Sequence, residues 1–196
     1  AQGREKTTEN IRSKAVKIAP MYRHRWAELM TIALVLSIIS LLVNIENPAG
    51  LVIVTSLAST ALALMVAPGA FTNSIRSVFF SYILALFVSV TFGFMFSQGF
   101  GSDIEITPVI LFIEFFLMLS ATLLLFGFFN VYHPPSIGAM LTYFIDRGFS
   151  DADVIIFVPV CVIFLLATIK TYIYWRHPDQ FKWQDLPKEF KRPETT

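Results

Sequence analysis

The charges of this chain are distributed in a way that a water-soluble globule does not tolerate. The sequence has 196 residues with 15 Lys or Arg and 14 Asp or Glu, yet the 150 residues from Trp26 to Trp175 hold only 11 of these charges and the two ends, 46 residues, hold the other 18. A soluble domain spreads charge over its whole surface, at about 25% of residues. Here the charged share is 15%, and 55% of residues are hydrophobic. That pattern argues against a soluble enzyme, a nucleic-acid binder or a disordered protein. It predicts an integral membrane domain over residues 26–175, between a basic N-terminal tail (1–25) and a C-terminal tail (176–196).

The tails and the single cysteine add little chemistry. Residues 1–25 hold seven Lys/Arg and two Glu. They read either as a solvated tail or as a segment lying on an anionic membrane face. The first apolar segment follows these 25 residues without a small-residue cleavage site, so a secretory signal is not expected. Cys161 is alone and sits in an apolar stretch, which leaves no disulfide framework and no cysteine metal site.

Six apolar segments follow one another: 26–43, 51–67, 77–97, 108–129, the short 134–145, and 154–175. All but the fifth have the length of a membrane-crossing helix. The fifth would be about 18 Å of helix. Lys and Arg lie in the N-terminal tail, at Arg76 and from Arg176 to Arg192, whereas the turns at 44–50 and 98–106 carry Glu46, Asp103 and Glu105 with no Lys or Arg. The positive-inside rule therefore puts both termini and the 68–76 turn in the cytoplasm. An even number of crossings makes the short segment a sixth span, with the turn at 146–151 outside. The expectation is an all-α polytopic bundle of six helices in a bacterial inner membrane or an organellar membrane. A shift of 80 residues lays Ser56-Leu57-Ala58-Ser59 on Ser136-Ile137-Gly138-Ala139 and the third segment on the sixth. Three spans per half would make an inverted repeat, the architecture in which transporters place a site between the halves.

The stretch from Asn130 to Leu141, Asn-Val-Tyr-His-Pro-Pro-Ser-Ile-Gly-Ala-Met-Leu, is the most unusual. A residue before proline leaves the helical region, so Tyr132 and His133 should exit the fourth helix, and Pro134-Pro135 can open the fifth. A helix start offers N–H groups and positive partial charge to an anion. Prolines have no N–H, so Ser136, Ile137 and Gly138 are the backbone donors, joined by the Ser136 hydroxyl and by His133. Gly138 and Ala139 would let another helix pack closely. The competing reading is a plain proline-opened turn with His133 at the interface.

His-Pro-Pro followed by small residues, between two apolar spans, resembles the HPP family of integral membrane proteins, named for that tripeptide. The resemblance covers residues 26 to 175. Its members in cyanobacteria and chloroplasts are associated with nitrite transport, so the resemblance implies a small anion, nitrite, as substrate. Where the family opens its second span with a Pro/Gly-Ala-Ser type sequence, this chain reads Val54-Thr55-Ser56-Leu57-Ala58-Ser59 without the prolines, and Thr72-Asn73-Ser74-Ile75-Arg76 keeps a polar, cationic entry to the third without the family's Pro and Gly-His pair.

Glu114 is the one acid well inside a span, a costly position that marks a functional candidate. It either carries a coupling proton or reaches an interface or a hydroxyl. Arg76 is either an anion ligand or a positive-inside anchor. Glu28, Lys170 and Arg176 lie near span ends and should snorkel. Trp26, Tyr172, Tyr174 and Trp175 fit an aromatic belt, and the 20 Phe are lipid-facing and packing residues. No His pair has metal-ligand spacing and no nucleophile–base pair stands out, so neither a metal, a cofactor nor an enzyme activity is expected. The sequence thus supports a transporter or channel for a small anion. Its candidate site is His133, Pro134, Pro135, Ser136 and Gly138, faced by Thr55, Ser56 and Ser59 and by Asn73 and Arg76, with Glu114 for proton coupling. The partners expected are the bilayer, a small inorganic anion and, as an open option, further copies of the chain. The alternative is a non-transporting membrane scaffold or subunit in which the same residues only satisfy helix ends.

Overall fold

Prolines and caps set several of the helix ends. Pro48 opens one helix and Pro108 another, behind a Thr107 hydroxyl that accepts the N–H of Ile110. Asn130 closes the latter in the left-handed conformation at φ 50°, its N–H returned to the carbonyls of Phe126 and Gly127. The computed structural model describes residues 26–42, 48–99, 107–145, 152–178 and 182–190. The N-terminal tail and the turns at 43–47, 100–106 and 146–151 lie outside these residues, with the expectations that fall on them.

The elements are α1 (Trp26–Leu42), α2 (Pro48–Val66), a 3₁₀ turn (Phe71–Asn73), α3 (Ile75–Gly99), α4 (Pro108–Phe129), a second 3₁₀ turn (Pro134–Ser136), α5 (Ile137–Ile145), α6 (Ala152–Arg176) and a 3₁₀ segment (Trp183–Phe190). No strand occurs among the described residues, and the fold is an all-α bundle with one short helix. Among the described residues, three helical stretches are long and apolar enough to cross a membrane: Ile75–Phe96, Pro108–Phe129 and Ile156–Arg176. Met30–Ser40 and Gly50–Val66 are shorter apolar stretches. The nine residues of α5 make about 14 Å.

At the centre, α2 and α3 both pack on α5 and on α6, and α3 also packs on α4. At the edges, α1 lies on α2 and α6, and α4 lies on α3 and α5. One apolar core joins α1, α2, α3 and α6 through Ile39, Leu57, Leu64, Val78, Val162 and Leu165. A second joins α3, α4 and α5 through Ala85, Met118, Phe126, Val131 and Met140. On α3, Ser77, Ser81, Ala85 and Ser89 are all buried at a spacing of four, a stripe of small side chains that admits a neighbouring backbone closely. The outer faces of α1 and α4 expose Met30, Leu34, Phe112, Phe116, Leu124 and Phe128. Contiguous apolar surface of that kind has to be covered by lipid or protein.

Two expectations at the C-terminal end are corrected. Lys170 does not snorkel: it is buried, its ammonium 2.7 Å from the Glu189 carboxylate. Tyr174 does not join an aromatic belt either, being buried with its hydroxyl donating to the same carboxylate, while Trp175 does point outward. The physical reason is the segment Trp183–Phe190, which turns back and lies on α3, bringing an acid to a lysine that would otherwise have to reach water.

Candidate functional site

The connection from α4 to α5 is held from three sides. Val131 returns its N–H to Phe126, and Tyr132 is clamped by the Ser77 hydroxyl, which accepts the Tyr132 N–H and donates to the Tyr132 carbonyl, both at 2.9 Å. His133, preceding a proline, is extended at φ −139°. Its ring is turned into the bundle and is 1% exposed. Nδ1 lies 2.9 Å from the Thr72 carbonyl and Nε2 lies 2.9 Å from the Thr60 hydroxyl. A carbonyl only accepts, so Nδ1 carries the proton and Nε2 of the neutral ring accepts from Thr60. Burial pulls the His133 pKa down to about 4, partly opposed by the Thr72 carbonyl, and the ring is therefore neutral at pH 7.

Behind His133 runs a chain of hydroxyls. Thr60 Oγ1 is 2.8 Å from the Tyr82 hydroxyl, which is 2.8 Å from Ser56 Oγ, which donates to the Pro135 carbonyl. Thr60 Oγ1 also lies 3.1 Å from the Ser56 carbonyl. Five contacts therefore depend on the protons of three hydroxyls while His133 is neutral. Ser56 must donate to Pro135, so Tyr82 and Thr60 each choose between partners. A proton on Nε2 would supply the fourth donor and release the Thr60 hydroxyl to the Ser56 carbonyl. Among the described residues, Ser81 Oγ is the buried side-chain polar atom without a hydrogen-bond partner.

The structure sorts the residues singled out from sequence. His133, Ser136 and Ser56 come together. Gly138 stands against Ser56, where an added Cβ would meet Ser56 Cβ at 2.8 Å, so only glycine lets α5 approach α2 this closely. Pro134 and Pro135 form the 3₁₀ turn that aims His133 inward. Thr55 and Ser59 are exposed on a different face of α2, about 100° from Ser56 and Thr60, and the Thr55 hydroxyl bonds its own helix at Leu51 and Val52. Asn73 donates to the carbonyls of Ala63 and Ala67, at 2.8 Å each, and so caps α2. Arg76 donates to the Phe129 and Asn130 carbonyls at 2.9 and 3.4 Å, capping the negative end of α4. Glu114 is buried on the α4 face of Met118, Thr122 and Phe126, about 22 Å along the helix from Phe129. It does not converge on His133.

The donors at the start of α5 are engaged internally. The Ser136 N–H and its hydroxyl both go to the His133 carbonyl, at 3.0 and 2.7 Å, and the Ile137 N–H goes to Pro134 and Pro135. The tighter 3₁₀ turn accounts for this, since it closes bonds that a direct α-helical start would leave open. Thr60, Tyr82 and the Thr72 carbonyl were missed from sequence. The signals were there in weak form: Ser56 and Thr60 are four apart in an apolar helix, and Tyr82 is the one tyrosine inside its segment. No protein-family model, curated protein or solved structure matches the chain.

Proposed function

We propose that the chain is a multi-pass membrane transporter or channel for a small anion, held here in a closed conformation. The observation that carries this reading is the buried network of Ser56, Thr60, Tyr82 and His133 where α2 and α3 meet the irregular start of α5. A bundle coated in Phe and Leu gains nothing from polar groups and non-helical backbone inside it unless they serve a path through it. The neighbour pattern supports two inverted triplets. Exchanging α1 with α4, α2 with α5 and α3 with α6 maps α1–α2 onto α4–α5, α1–α6 onto α4–α3 and α2–α6 onto α5–α3, and leaves α2–α5 and α3–α6 on themselves. Inverted triplets with a site at their interface are a transporter design. They give six crossings with both termini cytoplasmic, in agreement with the positions of Lys and Arg.

In this mechanism an anion enters as the contact between Thr60 and His133 opens. The Thr60, Tyr82 and Ser136 hydroxyls then become donors, and a proton on His133 supplies countercharge. Nitrite is the substrate that the likeness to the HPP family implies. Glu114, an acid buried in a span, is the candidate for a coupling proton on a separate path. A scaffold or subunit role is the second reading, favoured by the internal pairing of the Ser136 and Ile137 donors.

The test is nitrite uptake into liposomes holding the purified protein, with and without an inward proton gradient. Saturable uptake that falls at least tenfold in His133→Gln supports the reading. Loss of the gradient dependence alone in Glu114→Gln assigns it the coupling proton. Uptake equal to that of empty liposomes, with the helical circular dichroism intact, leaves the scaffold reading.

A further inference from the structure

A second buried polar centre lies at the same end of the bundle as His133. The Glu189 carboxylate receives three donors from two helices: Lys170 Nζ at 2.7 Å and the Tyr174 hydroxyl at 2.9 Å from α6, and the Ile75 N–H at 3.1 Å from the first turn of α3. Trp183, on the same returning segment, stacks on Tyr174 with ring centroids 5.0 Å apart. We propose that Lys170, Tyr174 and the Ile75 N–H form a carboxylate-binding site, and that the chain fills it with its own Glu189.

The donors belong to the bundle, and the carboxylate arrives on a segment outside it. With 183–190 in place Lys170 is 4% exposed, and its ammonium is directed at the Glu189 carboxylate rather than at water. If 183–190 lifts away, the ammonium, the hydroxyl and the N–H are left aimed at the same point with no anion between them. Three donors converging on one point favour the return of an anion. A free carboxylate of formate or acetate size matches what Glu189 supplies: two oxygens for one ammonium, one phenol and one amide. Ile75 is also three residues beyond Thr72, whose carbonyl holds His133, and next to Arg76, which holds the end of α4. Exchange of Glu189 for a free carboxylate thus keeps an acceptor on the Ile75 N–H at the first turn of α3. The inference concerns a second site and does not depend on transport through the first.

The test is chemical rescue in the full-length protein, purified in detergent. Glu189→Ala leaves room for formate beside Lys170. Formate, with chloride as the ionic-strength control, is expected to raise the Tm of Glu189→Ala saturably and to leave the wild type unchanged, because bound ligand stabilises only the form with the vacant site. Adding Lys170→Met to Glu189→Ala should abolish the rise. Equal responses in wild type and variant, or none in a folded Glu189→Ala, would overturn the proposal. If Glu189→Ala does not fold, Glu189→Gln keeps the shape of the segment and removes its charge. Formate must then raise the Tm of that variant more than the wild type's, and failure to do so has the same meaning.

Discussion

The bundle has two buried polar centres at one end, and they are built on different principles. Around His133 the groups are neutral, come from α2, α3 and the α4–α5 connection, and are packed directly against the apolar cores. Around Lys170 a charged pair is joined by a hydroxyl and an N–H, and half of the pair is brought by the returning 183–190 segment. A neutral centre inside the bundle loses little when one bond is remade, because the Thr60 and Tyr82 hydroxyls each have another acceptor within reach. A charged centre has no such alternative. The first is suited to rearrangement and the second to an all-or-none contact.

The contrast is broken most directly by Glu189→Ala. Removing one member of a largely buried ion pair should cost about 3 kcal/mol, whereas Lys170→Met with Glu189→Leu should recover most of it. Unfolding in detergent, followed by circular dichroism, checks both. Next in size is Gly138→Ala, which drives a methyl group into Ser56 and should cost about 2 kcal/mol by forcing α5 off α2. It disturbs the His133 centre, and the formate response of Glu189→Ala should survive it if the two centres are independent.

His133→Gln sharpens the comparison through pH. The ring titrates near 4 in the folded chain and near 6.5 when unfolded, so the unfolded chain takes up the proton first. The stability contributed is complete above 6.5, declines as pH falls from 6.5 toward 4, and declines no further below that. The wild type should therefore lose Tm relative to His133→Gln across that window and run parallel to it above pH 7. A constant difference at all pH values would mean that the buried ring is not held neutral. The smallest effects separate two threonines on one helix. Thr60→Val should cost about 1 kcal/mol, leaving Nε2 and the Tyr82 hydroxyl short of a partner. Thr55→Val, exposed on the outer face, should stay within about 0.5 kcal/mol.

Much of the helical layout was legible from sequence because prolines, glycines and the gaps between apolar runs are local signals. The expected 108–129 coincides with α4, and the proline-opened short segment became a 3₁₀ turn followed by α5. His133, Ser136 and Gly138 were legible for the same reason, since Pro134-Pro135 dictate the backbone on both sides of them. Facing was harder. Thr55, Ser56, Ser59 and Thr60 are equally polar in the sequence, and which two point inward depends on the rotation of α2 against α5, a tertiary quantity. Asn73 and Arg76 looked like anion ligands because the carbonyls they cap become visible only when α2 and α4 end beside them. The Lys170–Glu189 pair spans a tail that composition alone marks as solvated.

The shortage of protons among five contacts has a dielectric consequence. Hydroxyls that can point to either of two acceptors store several arrangements of similar energy, and they reorient in an electric field without moving a helix. Most of the interior around them is Leu, Ile, Val and Met, which respond only through their electrons. The end of the bundle at Thr60, Tyr82 and His133 is therefore a small region of high local permittivity set in a medium of low permittivity. A charge brought close to it is stabilised by rotating O–H bonds, as it would be in a polar liquid, while the backbone stays where it is.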